Sequence, residues 1–516
     1  MPAEGQTPDL TLVVDGQAVV VPDDGSTLLD VLRDGLGHRS LKDGCSPQGQ
    51  CGCCTVLVDG QPRVACVTPA RRVRNRAITT VDGLPRADRD AWAEAFCATG
   101  ASQCGFCTPG IVCRLAGLRA KQPAADHAAV EQALLAHLCR CTGWRTIIDA
   151  WDLVLAGGPL PTRDLDAAST RATLETGGPQ LVAPGVALGQ GGFSDDTAPP
   201  DALVAVLDGT GGWAVGATLA EARARAGKVQ GRRTTVEAAP PLEVPPGSWD
   251  AVLRTSWVEP AYLEPDASWC EPGGEPQTPL ANGGAFGGKL HSTVRQAARA
   301  LADEHGRPVR VLLSREDVVR LGPKRPPVAG GAMADGRGRM RVVRTPGGAA
   351  AIASVAPELA VEEVDVPGPP TSIDLRAAGW AEAIVLLAGA RGMAGPVTDP
   401  TTGATAEAHV SGGAIRVRVD AGEPLDDVVL RSYATGAAHM ALSWLSREGI
   451  AVDGAGEVHD LTIRSFGVLR AVDTPPIEVE ITSSGAAPVR SGDAVFAAVA
   501  AAAWRALGHP GTWPAG

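Results

Sequence analysis

Eleven of the twelve cysteines lie between Cys45 and Cys141, and this clustering constrains the chain more than any other feature of its sequence. Only Cys270 lies beyond them. A disulfide framework is typical of short secreted chains, whereas this chain starts with MPAEGQTPDLTLVVDG, which has no basic n-region and no apolar h-region. The clustering therefore favours metal binding, and we expect the protein to be cytoplasmic.

Composition narrows the range of possible functions further. The chain has 516 residues, of which 44% are hydrophobic and 20% charged, so it is long enough for several domains. Its net charge is -12, which leaves no overall basic surface to neutralise nucleic-acid phosphates or anionic lipid. No run of apolar residues is long enough for a membrane span. We therefore expect neither a nucleic-acid partner nor a membrane span.

Local patterns divide the cysteine-rich part into two domains. Asp15-Gly16 and Asp59-Gly60 each separate two apolar runs, which predicts two β-hairpins in a small β-rich domain. From Asp90 to about Ala156, apolar residues recur at steps of three and four, which predicts helices. Asp126 is a candidate helix N-cap in this part.

The first cysteine set, C-x5-C-x2-C-x11-C, lies in a glycine-rich loop and is formed by Cys45, Cys51, Cys54 and Cys66. Four thiolates in such a loop favour an iron–sulfur cluster. A zinc site remains the alternative, although zinc ribbons usually have two C-x2-C knuckles. Cys53 is expected to be a small buried hydrophobic residue.

The second cysteine set, C-x2-C-x31-C-x-C, is formed by Cys104, Cys107, Cys139 and Cys141. We expect each pair at a helix end, where the N-terminal dipole stabilises thiolate charge. The C-x-C spacing is too short for an ordinary zinc knuckle. The remaining cysteines of this part, Cys97 and Cys113, are expected to be core residues.

These motifs together resemble a known family. QCGFCTPG at 103–110 and CRCTGWRTI at 139–147, behind GCSPQGQCGCCTV, resemble the iron–sulfur subunit of the molybdenum hydroxylases, the xanthine dehydrogenase and aldehyde oxidase family. The resemblance implies a plant-ferredoxin-like domain and a helical domain with one 2Fe-2S cluster each, held by the two cysteine sets. It also implies that Gln103 contacts the pterin of a molybdenum cofactor. The alternative for Gln103 is a surface amide.

A glycine loop, GGAFGGK at 283–289, stands out in the rest of the chain. Leu290 follows it where a phosphate-binding Walker loop has Ser or Thr, so that assignment is doubtful. By itself the loop is typical of a turn before a helix. Together with WVEPAYLEPDASW and SREDVVRLGPKRPP, it resembles the molybdenum-binding subunit of the same family. That resemblance assigns the cofactor-binding role to Gly284, Ala285, Phe286 and Gly287.

The region after residue 190 is about half as long as a complete molybdenum subunit of the family. We find no glutamine–glycine cofactor motif, and Asp493 lies where the family has its glutamate base. A shorter side chain there could abolish hydroxylation, since a base must lie within about 2.6–3.2 Å of the proton it takes. The alternative for Asp493 is a helix N-cap. Pro260 likewise replaces a histidine often found in the family.

The predicted fold class is α+β multidomain. It comprises a β-grasp plant-ferredoxin-like domain, a four-helix-bundle 2Fe-2S domain and a truncated mixed α/β region like the molybdopterin-binding subunit. The predicted boundaries are 1–85 for the ferredoxin-like domain, 86–158 for the helical domain, 159–190 for a linker, 191–246 for a remnant of the large-subunit N-terminal domain and 247–516 for the truncated cofactor-binding-like domain.

The leading hypothesis is an electron-transfer subunit. Two 2Fe-2S clusters would relay electrons from a molybdopterin centre in a partner chain to a flavin or other acceptor. The expected partners are a molybdenum-binding subunit and a flavin-binding subunit, because no flavin or nicotinamide motif is present in this chain. One alternative is a self-contained molybdenum hydroxylase that acts on an aldehyde or N-heterocycle with Asp493 as catalytic base. Another is a non-catalytic iron–sulfur scaffold.

Overall fold

The computed structural model describes residues 9–227 and 234–514. The N-terminal part is a five-stranded sheet of strand order β2-β1-β5-β3-β4, in which β1 and β5 run parallel and the other pairs antiparallel. Its strands are β1 Asp9–Val14, β2 Gln17–Pro22, β3 Thr55–Val58, β4 Gln61–Val64 and β5 Ala77–Thr79. Both predicted hairpins are confirmed, because β1 with β2 and β3 with β4 enclose the two Asp-Gly turns.

Four helices follow this sheet. They are α1 Arg86–Thr99, α2 Thr108–Lys121, α3 His127–Ala133 and α4 Arg145–Ala156. Helix α2 packs against strands β3 and β4 of the sheet. Asp126 is the N-cap of α3, as predicted, and accepts a hydrogen bond of 2.9 Å from the Ala129 amide. Sheet and helices share one continuous core that includes Trp92, Phe96, Trp144 and Trp151.

The segment 159–190, predicted to be a linker, contains helix α5, Leu165–Thr176. Large apolar residues are scarce in this helix, so the sequence shows no helical stripe. The helix is fixed by its ends and by a buried ion pair instead. Asp164 caps its N-terminus, accepting from the amides of Asp166 and Ala167, and Gly177 ends it in the left-handed conformation.

The described residues of the C-terminal half form three mixed sheets with helices between them. Their strand orders are β7-β6-β10-β9, β13-β12-β11-β8-β18 and β14-β15-β16-β17. The strands are β6 Leu203–Leu207, β7 Trp213–Gly216, β8 Ala251–Thr255, β9 Ala267–Cys270, β10 Val309–Leu312, β11 Val328–Ala332, β12 Gly338–Val343, β13 Leu359–Val364, β14 Val397–Thr398, β15 Thr405–Ser411, β16 Ala414–Asp420, β17 Ile477–Thr482 and β18 Thr512–Trp513.

The helices of this half are α6 Pro184–Ala187, α7 Ser194–Thr197, α8 Leu219–Ala226, α9 Val294–His305, α10 Arg315–Leu321, α11 Gly348–Val355, α12 Trp380–Arg391, α13 Asp427–Ser446 and α14 Gly492–Ala506. The two longest, α13 and α14, are largely buried. Helices α13 and α14 pack against each other through Trp444 and Phe496, whose rings stack at 5.1 Å. No helix in the described parts of the chain combines the length and apolar character needed to cross a bilayer. The α+β multidomain fold class predicted from the sequence is confirmed.

Candidate iron–sulfur sites and the adjoining cavity

The first cysteine set meets beneath the loop 45–54. Cys45, Cys51 and Cys54 come from this loop, and Cys66 comes from a short 3₁₀ turn after β4; none of the four is more than 2% exposed. Backbone amides point at the sulfurs, with Gln48 N 3.2 Å from Cys45 Sγ and Cys66 N 3.4 Å from Cys54 Sγ. Hydrogen bonds from the neighbouring thiols, Cys51 first, lower the pKa of the Cys45 thiol well below its usual value. Cys45 therefore has thiolate character, and the set has backbone amide donors of the kind that suit a cluster.

The second cysteine set lies at the junction of the helical domain with the C-terminal half. Sγ of Cys104 is 3.7 Å from Sγ of Cys141, and Cys107 contacts Cys139. Hydrogen bonding from Cys107 lowers the pKa of Cys139 to about 6. Cys107 is the N-cap of α2, as expected for the first pair. The expectation is wrong for the second pair, because Cys139 and Cys141 lie in the loop before α4.

Neither set has the arrangement of a mononuclear metal site. Among residues 9–227 and 234–514, no group of three or more His, Cys, Asp or Glu side chains converges in a way that would hold one ion. In the first set, Cys45 contacts Cys51 and Cys66, and Cys66 also contacts Cys54. In the second set, Cys104 contacts Cys141 and Cys107 contacts Cys139. Four thiols that meet in this way suit a two-iron cluster, in which four cysteines are shared between two iron ions. Four thiolates also satisfy a tetrahedral zinc ion, and metal analysis separates the two alternatives.

The two sets are joined through the backbone. The amide of Leu138, next to Cys139, donates a 3.0 Å hydrogen bond to the carbonyl oxygen of Cys51. At the same contact a Cβ on Gly110 would lie only 2.3 Å from the Gly52 carbonyl oxygen, so the close approach of α2 to the loop requires glycine. One hydrogen bond therefore connects the two sets.

Three further cysteines take the buried positions expected of them. Cys53 is 1% exposed, and Cys97 and Cys113 are buried in α1 and α2. Burial raises the pKa of Cys113 and of Cys97, which disfavours the thiolate form needed in a ligand.

A cavity of about 160 Å³ opens beside the second set. It brings together parts of the sequence that are far apart. Its wall includes Gln103, Cys104, Cys141, the glycine loop 283–287 and Asp493. The predicted candidate residues outside the first set, apart from Cys139, therefore share one cavity.

Several buried polar atoms in the cavity wall have no hydrogen-bond partner within the described chain. They are Gln180 Oε1, Glu264 Oε1, Tyr433 Oη, Arg376 Nε and Arg490 Nε. Buried polar groups are normally paired, because leaving one unpaired costs about 1–3 kcal/mol. This mixture of donors and acceptors, with two guanidinium groups, fits a polar and anionic occupant such as a pterin phosphate. Sequence reasoning missed these residues, since nothing in their local sequence marks them.

Gln103 is held by the C-terminal half. Its Nε2 donates to the carbonyl oxygens of Cys141 and Ser432, at 3.0 and 3.1 Å, and lies 2.9 Å from Ser432 Oγ. Gln103 is 6% exposed, so the surface-amide alternative is wrong. Its contact with a pterin stays a prediction. In the structure, the Gln103 side chain connects Cys141 of the second set to Ser432 of α13.

The glycine loop approaches the second set closely. A Cβ on Gly283 would lie 3.3 Å from Cys104 Cβ, and one on Gly284 would lie 1.9 Å from the Thr176 carbonyl oxygen. Ala285 and Phe286 adopt positive φ, at 48° and 57°. Lys289 is buried and pairs with Glu264 at 2.5 Å, so it is committed within the protein rather than presented to a phosphate. The loop is a tight backbone wall of the cavity.

Asp493 lies in the first turn of α14, whose N-cap is Ser491. The N-cap alternative for Asp493 is therefore wrong. Its Oδ2 accepts a 3.1 Å hydrogen bond from Arg490, and its Oδ1 lies 3.7 Å from Nε of Arg376. Asp493 thus lines the cavity as an ion-paired carboxylate, and its role as a base stays a prediction.

The second set is covered from outside by the C-terminal half. A Cβ on Gly436 of α13 would lie 1.8 Å from the Cys141 carbonyl oxygen. Arg140, between the two cysteines of the C-x-C pair, forms a buried bidentate ion pair with Glu448 at 2.5 and 2.7 Å and donates to the Pro260 carbonyl oxygen. The second set is thus covered by protein on the side of α13, and Cys104 and Cys141 face the cavity. A group bound in the cavity would therefore lie next to this set.

The first set is covered in a similar way by residues 461–464. Gln48 Nε2 donates to the Leu461 carbonyl oxygen at 2.9 Å, and the Ile463 amide donates to Gln48 Oε1 at 3.2 Å. Arg464 donates to the carbonyl oxygens of Gln50 and Leu135, both at 3.0 Å.

Comparison with known proteins agrees with this geometry. A 2Fe-2S iron–sulfur cluster binding domain model matches residues 12–80, and a [2Fe-2S] binding domain model matches residues 80–152. The chain is 37% identical over 138 residues to a probable xanthine dehydrogenase subunit of Bacillus subtilis, a match that covers 27% of this chain and 79% of that protein. It is 35% identical over 137 residues to the nicotinate dehydrogenase small FeS subunit of Eubacterium barkeri, covering 26% of this chain and 87% of that protein. The chain belongs to the molybdenum hydroxylase family.

As a molybdenum hydroxylase component, the chain is an oxidoreductase with an electron-transfer role, and it has two [2Fe–2S]-binding domains. Its fold resembles aldehyde oxidoreductase from Desulfovibrio gigas, with a TM-score of 0.70 and 14% identity over 96% of this chain and 97% of that chain. The likeness in fold therefore extends through the C-terminal half, which the two domain models do not reach.

Proposed function

We propose that this chain relays electrons, one at a time, from a molybdenum–pterin centre through two [2Fe–2S] clusters to a flavin or other acceptor on another subunit. The observation that carries the proposal is the position of the second set, whose Cys104 and Cys141 line the cavity. The first set lies on the opposite side of the Leu138–Cys51 hydrogen bond. Electrons would thus enter at the second set and leave from the first.

The ligands that we propose follow the two cysteine sets. Cys45, Cys51, Cys54 and Cys66 would hold one cluster, and Cys104, Cys107, Cys139 and Cys141 the other. Contacts among the thiols support both assignments, and burial and directed backbone amides support the first. We also propose that the domain holding the first cluster ends near residue 85 and the domain holding the second ends near residue 158.

The molybdenum centre has two candidate binding sites, one in a partner chain and one in the cavity of this chain. Relatives that are small subunits support a partner chain, with Gln103 at its pterin. The unpartnered polar atoms of the cavity, and the cover provided by α13, support this chain's own cavity. When bound, the cofactor would supply oxygen-atom transfer and pass the resulting electrons on. This chain's residues would hold its pterin, exclude water and present the second set.

A self-contained hydroxylase is the second candidate function, and the position of Asp493 in the cavity wall favours it. Acting as a base would require Asp493 to exchange its pairing with Arg376 and Arg490 for a substrate proton. An Asp493→Asn variant would then bind molybdenum and lose turnover. If neither wild type nor Asp493→Asn turns over substrate, and both transfer electrons at the same rate, the electron-transfer function is favoured.

Metal analysis tests the proposal. Iron, zinc and molybdenum would be measured in the chain purified alone and with its native neighbours, together with electron paramagnetic resonance after dithionite reduction. We expect about four irons per chain and two distinct [2Fe–2S] signals. Cys104→Ser should remove one signal, while Cys113→Ser, a buried cysteine of the same domain, should keep both.

Molybdenum found only in the complex would place the centre in a partner chain. Stoichiometric molybdenum in the isolated chain would place it in the cavity. Zinc in place of iron would contradict the electron relay altogether.

A further inference from the structure

An arginine-rich segment surrounds one ligand of the first set. Residues 60–81 contain five arginines and no aspartate or glutamate, in a chain whose net charge is -12. Cys66 lies within this segment. The local charge therefore has the opposite sign to that of the whole molecule.

An exposed apolar side chain lies at the centre of this segment. Val67, which follows Cys66, is 53% exposed although its neighbour is buried. It packs over the cluster loop, since a Cβ on Gly49 would lie 2.9 Å from Val67 Cγ1. Val67 thus lies on the surface next to a ligand of the first set.

Three arginines of the segment are free to attract an external partner. Arg63, Arg71 and Arg72 are exposed, and within the described chain no acidic side chain lies within ion-pair distance of them. In contrast, Arg74 pairs with Asp23 at 3.5 Å, and Arg76 pairs with Asp59 at 2.7 Å.

A fourth arginine reaches the same loop from the distant end of the chain. Arg464 is exposed, binds the Gln50 carbonyl oxygen and interacts electrostatically with Cys51 and Cys45. Val67 and Arg464 both reach the loop 45–54, at Gly49 and Gln50. Three exposed arginines, Arg63, Arg71 and Arg72, lie four or five positions from Val67 along the chain, and we name these five residues the arginine surface. An apolar centre with a charged rim is the usual anatomy of a transient protein interface.

We propose that the arginine surface docks an acidic one-electron carrier protein. This inference rests on the proposed function, because it needs a reduced cluster at the first set. In the transfer, one electron leaves the reduced [2Fe–2S]⁺ cluster, which becomes [2Fe–2S]²⁺, and the carrier is reduced by one electron. No covalent bond forms or breaks. Complementary charge would speed the encounter and seat the carrier beside Cys66.

Stopped-flow reoxidation of the reduced holoprotein tests the proposal. An acidic flavodoxin would serve as the one-electron acceptor, and the basic protein cytochrome c would serve as a probe of opposite charge. In wild type, the rate constant with flavodoxin should fall as salt rises. In Arg71→Glu/Arg72→Glu it should fall about tenfold at low ionic strength, while the rate with cytochrome c should rise.

Arg295→Glu/Arg339→Glu is the matched control. It makes the same change in net charge at exposed arginines on α9 and β12, in other sheets and helices. A neutral benzoquinone, reduced at the same rate by all three proteins, would show that their clusters remain competent.

Equal flavodoxin rates in both double variants would overturn the docking proposal and leave the electron relay standing. Salt-sensitive binding of a DNA duplex to this surface, without any effect on flavodoxin reduction, would also overturn it. Absence of iron from the wild-type chain is a separate result, which would contradict the relay itself.

Discussion

Cys53 lies between the two cysteine sets and belongs to neither. It interacts electrostatically with Cys45 and Cys54 of the first set and with Cys104 of the second. Its thiol hydrogen bonds with Cys51 and lies 3.9 Å from the Cys51 carbonyl oxygen. If Cys51 is a thiolate ligand, its sulfur accepts in this pair and the thiol of Cys53 donates.

We predict that Cys53→Ala lowers the reduction potential of the first cluster. A hydrogen bond to a ligand sulfur stabilises the more negative reduced state. Its loss, at about 1 kcal/mol, corresponds to about 40 mV for one electron. Redox titration followed by electron paramagnetic resonance would measure the shift, with Cys113→Ala as the control. An unchanged potential would show that Cys53 serves packing alone.

His439 predicts a pH dependence of stability. It is fully buried in α13, where its Nε2 donates to the Leu469 carbonyl oxygen at 3.2 Å. Burial, together with the nearby positive charge of Arg140, lowers the pKa of His439 to about 3. The unfolded chain binds a proton at this histidine below pH 6.5 and the folded chain does not, so stability is lost as the pH falls through that window.

Between pH 6.5 and 5 this loss amounts to about 2 kcal/mol. We predict that His439→Gln removes that part of the acid sensitivity, whereas His409→Gln, at an exposed position on β15, does not. Denaturant midpoints at both pH values would measure it. Parallel pH profiles for wild type and His439→Gln would contradict the predicted protonation.

At the scale of elements, α5 and α14 are joined by one carboxylate. Glu175 of α5 accepts hydrogen bonds from the amides of Ser491 and Gly492, both at 3.2 Å, and from Ser491 Oγ at 2.7 Å. It also pairs with the fully buried Arg171. A carboxylate at this helix N-terminus satisfies free amides and interacts favourably with the helix dipole.

We predict that Glu175→Ala lowers the free energy of unfolding by about 3–5 kcal/mol, because it leaves the Arg171 charge buried without its carboxylate partner. Glu94→Ala, on the exposed face of α1, should cost less than about 0.5 kcal/mol. Guanidinium titration would compare the two. Equal midpoints would mean that water reaches Arg171.

Sequence reasoning predicted the two hairpins and the helical domain but missed α5. Helices and hairpins with regular apolar spacing, such as α9 and the two Asp-Gly hairpins, were predictable because their periodicity is local. The signals for α5 were Asp164 before it and Gly177 after it, both of which are capping residues. Its buried surface consists largely of Arg171 and Glu175, and hydrophobic periodicity cannot detect an ion pair.

At the scale of the whole molecule, one ion pair fastens the iron–sulfur domains to the C-terminal half. Arg140 and Glu448 are each less than 5% exposed, and 308 positions separate them. We predict that Glu448→Ala lowers the unfolding free energy by about 3–5 kcal/mol, and that Arg140→Met/Glu448→Met recovers most of the loss. Glu478→Ala, from an exposed pair with Arg416, should cost about 1 kcal/mol or less. A double variant no better than the single one would contradict this assignment.

The cysteine sets could be predicted from sequence because each motif is compact and chemically specific. The cavity could not, since Gln180, Arg376 and Tyr433 lie on separate elements and meet only in the folded chain. Asp493 shows the limit of what the sequence predicts. Its place near the candidate site was predicted from resemblance, while its pairing with two arginines follows from tertiary packing alone.

The cover that residues 461–464 place over the first set imposes an order on biogenesis. Those residues emerge late from the ribosome, hundreds of positions after Cys45, and bind Gln48 and Gln50 directly above the thiols. A scaffold protein that delivers preassembled iron and sulfide needs access to those thiols. We therefore predict that a cluster at these thiols is loaded before residues 461–464 bind Gln48 and Gln50, so that the last folding step covers the site.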